Sequence, residues 1–260
     1  MSNCQESSML VIRKEQTDVY ERKLIEQFEL DLIERYKNIF VSQCKYLKEK
    51  QLNKFVRYGL YKAKKNGFEN KNQIFLYICL MFKIGSDFDT DLQFSWLSHY
   101  LTPGVNAEES DRILLLYQEV MNYLEAVYGE NDNYFKKALS NMMTNAVPEM
   151  LTSENFDFDN NFYGLVQRTY PQKYGLTDHD KLSDLKTRCK DMFQQYGIKD
   201  QKELSISTLF MFLLGEKFIL DPQFTWADKA FKGSTIYDSN NKINILFQEA
   251  KVALPNYYSF

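Results

Sequence analysis

The sequence predicts an all-α protein of two tandem helical-bundle repeats, and three observations lead to that prediction. Glycine and proline are scarce, ten and five of 260 residues, a composition that favours helices over a barrel or sandwich. Apolar residues recur at helical spacing along much of the chain. The chain also repeats itself: "MFKIGSDFDTDLQFSW" (81–96) returns as "MFLLGEKFILDPQFTW" (211–226). Eight of those sixteen positions are identical at an offset of 130 residues, where chance gives roughly one. They are Met81/Met211, Phe82/Phe212, Gly85/Gly215, Phe88/Phe218, Asp91/Asp221, Gln93/Gln223, Phe94/Phe224 and Trp96/Trp226.

The same offset joins Gly67 to Gly197, Phe40 to Tyr170 and Leu52 to Leu182, and aligns "ILLLYQEV" (113–120) with "INILFQEA" (243–250). The expected units are therefore residues 1–130 and 131–260, packed together as one compact body. In the first unit a long helix is expected over about 14–40, with Tyr20, Leu24, Phe28, Leu32 and Tyr36 recurring every four residues. A second is expected near 48–66, with a counterpart near 178–196 introduced by "TDHD", where Thr177 and Asp180 form a variant capping box. Gly67 and Gly197 suit the left-handed residue that ends these helices. The third helix of each unit, about 71–84 and 201–214, is apolar nearly all round and belongs in the middle of a bundle.

Gly85 and Gly215 end those buried helices. Asp91 and Asp221 are then placed to cap the next one, with Pro222 at its first helical position in the second unit. Phe88, Phe94 and Trp96, and likewise Phe218, Phe224 and Trp226, are expected to pack the corner. A last helix near 108–128 and 238–252 completes each unit, and 132–146 forms a connecting helix.

Composition narrows the function. A net charge of −3 and a pI near 5.6 argue against nucleic acid as a partner. The lysines of "KKNGFENK" read as a solvated helix end. The apolar runs "IFLYICLMF" and "LFMFLLG" fall short of the ~20 residues a membrane span needs, and "MSNCQESSMLVIRKEQ" does not read as a secretory signal. Cys4, Cys44, Cys79 and Cys189 are isolated, as expected of reduced, packed thiols in a cytoplasm.

Candidate sites are few. Asp87, Asp89 and Asp91 suggest a calcium loop, but Leu92 and Ser98 stand where an EF-hand needs Gly and Glu, and "DFDNNF" (157–162) fails likewise. His99 and His179 lack the paired spacing of a zinc site or a nucleophile partner. No metal, cofactor or catalytic residue is expected. Glu119 and Glu249, matched in the last helices, are the one symmetric acidic pair; salt bridges explain them better than acid–base work, though an all-α enzyme using such a glutamate is the alternative of a different class. Aromatic residues offer a protein-binding surface instead. The places are "NFDFDNNFYGLVQRTYPQKYG" (155–175) and "ALPNYYSF" (253–260), with Tyr163, Tyr170, Tyr174, Tyr257 and Tyr258 as candidates; their alternative role is to pack the groove between the halves.

"MLVIRKEQ" (9–16), "RYGLYKAKKNGF" (57–68) and "LMFKIGSDFDTDLQFSW" (80–96) resemble a family of small helical proteins of bacteria. Its genes lie in type VI secretion clusters, beside the spike protein VgrG, PAAR-tip proteins and toxic effectors. The resemblance covers about residues 9–101 and extends more weakly through "LFMFLLGEKFILDPQFTWA" (209–227). It implies that residues 1–8 are an N-terminal extension, that one unit is commonly a whole protein, and that the second unit lacks the "IRKEQ" start. It also implies a cytoplasmic, non-enzymatic accessory protein that binds a secreted effector or toxin from the same locus. An immunity protein is favoured over an effector chaperone or loading adaptor.

Overall fold

A computed structural model describes residues 14–104, 109–152, 157–232 and 239–259. Residues 1–8, Cys4 and most of "MLVIRKEQ" lie outside the described residues. All regular structure among the described residues is helical: α1 (Lys14–Ile39), α2 (Val41–Lys65), α3 (Lys71–Ile84), a 3-10 helix (Leu92–Leu97), α4 (Ser98–Leu101) and α5 (Glu109–Tyr128). After a 3-10 turn (Glu130–Asp132) come α6 (Asn133–Asn141), a π-helical turn (Met142–Ala146), α7 (Val147–Thr152), α8 (Phe158–Thr169) and α9 (Pro171–Leu176). The remaining helices are α10 (His179–Gln194), α11 (Gln201–Leu214), α12 (Thr225–Lys232) and α13 (Ser239–Tyr258). None of the described helices is long and apolar enough to cross a membrane.

The two largely apolar helices, α3 and α11, lie at the centre. Asn70 and Gln73 make a reciprocal capping box at the start of α3, at 2.9 and 3.2 Å. Asp200 caps α11 by accepting the N–H groups of Lys202 and Glu203. With their ends satisfied, α11 buries all but its first two residues and α3 buries nine of its 14. α2 and α5 pack on α3, and α8, α10 and α13 pack on α11. α13 also packs on α2, and α10 on the 3-10 helix at 92–97, so the two halves of the chain interlock.

α2 and α10 end alike. The N–H groups of Gly67 and Phe68 return to Lys64 and Ala63; those of Gly197 and Ile198 return to Gln194 and Phe193. Both glycines have positive φ, 75° and 80°. The Schellman geometry thus recurs bond for bond. A buried cation covers each end: Arg112 Nη2 donates to the carbonyls of Asn66 and Gly67, and Lys242 Nζ to that of Tyr196.

Several boundaries differ from the expectation. α2 begins at Val41 and kinks at Lys48, whose φ of 59° interrupts the helix where its start was expected. Asp178, rather than Thr177, caps α10, and the Thr177 hydroxyl instead donates to the Lys173 carbonyl. Pro222 lies in a turn, and helix resumes only at Thr225. α13 runs through Pro255 to Tyr258 rather than stopping at 252. The every-fourth-residue row on α1 does not follow one face, because a step of four turns the helix about 40° past a full turn. Tyr20 and Leu24 are exposed at one end of that row, while Leu32 and Tyr36 are fully buried at the other.

Candidate functional site

The repeated stretch forms two corners that grip each other. Asp91 caps its own turn, its Oδ1 accepting the Gln93 N–H at 2.9 Å, while its Oδ2 accepts the N–H of Glu216 in the other corner at 2.8 Å. Asp221 does the converse. It accepts the Gln223 N–H at 2.8 Å, the Ser86 N–H at 2.8 Å and the Ser86 hydroxyl at 2.6 Å. Gln93 Nε2 then donates to the Met211 carbonyl and Gln223 Nε2 to that of Met81. The glycines permit this approach: Gly85 and Gly215 have φ of 96° and 106° with ψ of 153°, a region open essentially to glycine alone. A Cβ on Gly85 would lie 3.2 Å from the Leu214 carbonyl oxygen.

Burial without a full ionic partner shifts the charges here. Desolvation raises the Asp91 carboxyl above its ordinary value and pushes that of Asp221 up to about 6, against its hydrogen bonds to Ser86 and Gln223. Lys173 is buried between the rings of Phe94 and Phe212 and donates to the Phe212 carbonyl. Desolvation lowers its ammonium to about 8, opposed by the charge of Asp91.

The aspartates found only in the first copy have a separate role. Lys62 Nζ lies 2.9 Å from Asp87 and 2.5 Å from Asp89. Tyr58 donates to Asp87 at 2.7 Å and Asn66 to Asp89 at 3.0 Å. At an offset of 130 residues Met192 stands against Lys62, Lys217 against Asp87 and Ile219 against Asp89, so these charges differ as a set. No group of three metal-ligating side chains occurs among the described residues.

The candidate aromatic surface separates into parts. Tyr170 and Tyr257 are 1% and 0% exposed, so they pack the core and do not stand as surface anchors. Their hydroxyls donate to the Val127 carbonyl and to Gln223 Oε1. Tyr258 is half-buried against Phe135 and Tyr257. Tyr163 and Tyr174 are half-buried around the exposed His179. The segment 157–176 that carries several of them is helical, started by Asp157 capping α8.

The outstanding surface feature is Trp96. It is 42% exposed, whereas Trp226 is 2% exposed and packs on Phe210 and Phe224. Trp96 leans on Tyr123, with ring centroids 5.5 Å apart. Both line an open groove of about 680 Å³ between the 92–97 turn, α5 and the α9–α10 connection, with Glu119, Leu176, Asp178 and Lys181 also on its walls. No sequence pattern singles out this groove, because its walls come from segments far apart in the chain. Glu249 does not share it and lies 4.0 Å from Lys229. Cys44, Cys79 and Cys189 are buried free thiols, pushed up by desolvation to about 11, 12 and 12.

No protein-family model, curated protein or solved structure matches this chain. Fold and groove together define its class as an all-helical protein with an aromatic surface groove.

Proposed function

We propose that the chain is a non-enzymatic protein-binding module made by tandem duplication of one helical unit, residues 1–130 and 131–260. Its proposed partner is a secreted effector encoded beside it in a type VI secretion locus, and its favoured role is a cytoplasmic immunity protein that covers the toxin's active-site cleft. The observation that carries the reading is Trp96, a large aromatic side chain left at the surface over an open groove. Tryptophan in such a setting is among the strongest interface anchors. The reciprocal bonds of Asp91 and Asp221 support the duplication, since each copy of the motif completes the other. The resemblance of "RYGLYKAKKNGF" and "LMFKIGSDFDTDLQFSW" to accessory proteins of secretion clusters supports the choice of partner.

The test is deletion of the gene in a strain that keeps the neighbouring effector, with complementation by the wild type or by Trp96→Ala. The expected result is self-intoxication, rescued by the wild type and not by the variant. Normal growth with loss of effector secretion would assign a chaperone role in place of immunity. Normal growth with normal secretion would overturn the reading.

A further inference from the structure

The walls of the Trp96 groove carry a charge that the chain itself leaves unbalanced. Glu119 projects from α5 and makes no ion pair among the described residues. Asp178, the second carboxylate of the groove, gives one oxygen to the Asp180 N–H. Lys181 also lines the groove, but forms no ion pair with either carboxylate among the described residues.

The second half contains an instructive counterpart. Glu249 stands 130 residues after Glu119, and the ammonium of Lys229 lies 4.0 Å from it. Lys229 comes three residues after Trp226. The residue three after Trp96 is His99, which is exposed and packs edge-on against Tyr100. In the second half, then, the chain supplies its own cation beside this glutamate and buries the tryptophan. In the first half it does neither.

Resting on the reading of the groove as a docking surface, we propose that it takes a lysine or arginine side chain presented by a segment of the partner protein. Trp96 and Tyr123 form an aromatic corner, and a cation over an indole face gains about 0.5–1 kcal/mol when exposed and about 2 or more when desolvated. Glu119 and the free oxygen of Asp178 supply charge-assisted acceptors at the same place. A neutral apolar segment would fill the groove but leave Glu119 covered and unpaired, which costs binding energy.

The experiment is selection of a random dodecapeptide phage library on the full chain, with Trp96→Ala as the counter-selection. The strongest peptide is then synthesised with a dye and titrated by fluorescence polarisation. The expected peptides carry a lysine or arginine beside an apolar residue and are recovered by the wild type only. Glu119→Gln, with an unchanged circular dichroism melt, is expected to weaken binding about tenfold. Trp96-dependent peptides without a basic residue, or an unchanged affinity for Glu119→Gln, would overturn the proposal while leaving the docking groove standing. No Trp96-dependent peptide at all would overturn both.

Discussion

Trp96 and Trp226 close the same phrase in the two halves of the chain, yet one lies at the surface and the other in the core. The difference arises in the segments on their C-terminal side. After Phe224 the chain enters α12, whose Ala227, Ala230 and Phe231 are buried and carry Trp226 inward with them. After Phe94 it winds on as a 3-10 helix, which buries Leu97, into the four-residue α4, which buries Leu101, and Trp96 is left outside. Even the buried indole is not held by polarity, since Trp226 Nε1 has no hydrogen-bond partner among the described residues. Trp226 serves packing, and Trp96 stays at the surface. The two occurrences of one phrase therefore keep the corner bonds of Asp91 and Asp221 while their tryptophans differ in burial.

The largest predicted effect tests whether the charges unique to one copy act together. Lys62→Met leaves Asp87 and Asp89 buried without their cation, at an expected cost of about 3–5 kcal/mol in urea unfolding. Adding Asp87→Lys and Asp89→Ile, the residues of the second copy, is expected to recover most of that loss. A triple variant no more stable than Lys62→Met would argue against a coupled exchange.

The tryptophans come next. Trp226→Ala is expected to cost about 3–5 kcal/mol, as for other buried aromatics. Trp96→Ala is expected to stay within about 0.5–1 kcal/mol of the wild type. Equal losses would contradict the division of roles. Gly85→Ala is expected to cost about 1–3 kcal/mol, because its backbone region excludes a Cβ and the Leu214 carbonyl lies in the way. A neutral effect in a thermal melt would show that the two corners do not depend on that approach.

The pH dependence of the grip is subtler. Asp221 titrates in the folded protein near 6, above its ordinary 3.8, so the folded state holds this proton more tightly than the unfolded chain. The contribution of this group to stability is therefore largest below about pH 4, falls as pH rises towards about 6, and is level above. Urea unfolding of the wild type minus that of Asp221→Asn, measured across this range, should fall with pH. A difference that rises with pH would reverse the sign of the burial effect.

Much of this fold was legible because helix signals are local. The largely apolar runs marked out helices at about 71–84 and 201–214, and their termination at Gly85 and Gly215 is written in adjacent residues, whereas the caps at Asn70 and Asp200 emerge only in the structure. The roles of Asp91 and Asp221 were half legible. One carboxylate oxygen of Asp91 caps the 3-10 helix as expected, while that of Asp221 holds a turn four residues ahead of α12 instead of capping it; in both, the other oxygen reaches a backbone N–H 125 or 135 residues away. The tyrosines misled for the same reason. Tyr170 and Tyr257 are amphipathic side chains whose hydroxyls find buried acceptors, and no local pattern distinguishes that from a surface anchor. The Trp96 groove was not legible, because its walls come from the 92–97 turn, α5 and the α9–α10 connection, segments far apart in the chain.

The most direct test of that contrast is acrylamide quenching of the two single-tryptophan variants, Trp226→Phe and Trp96→Phe. Strong quenching is expected of Trp96, diminished when a groove-binding peptide is added. Weak quenching is expected of Trp226, and the peptide should leave it unchanged. Equal shielding of both indoles, or a peptide that protects Trp226 and not Trp96, would contradict the division between a packing and a recognition tryptophan.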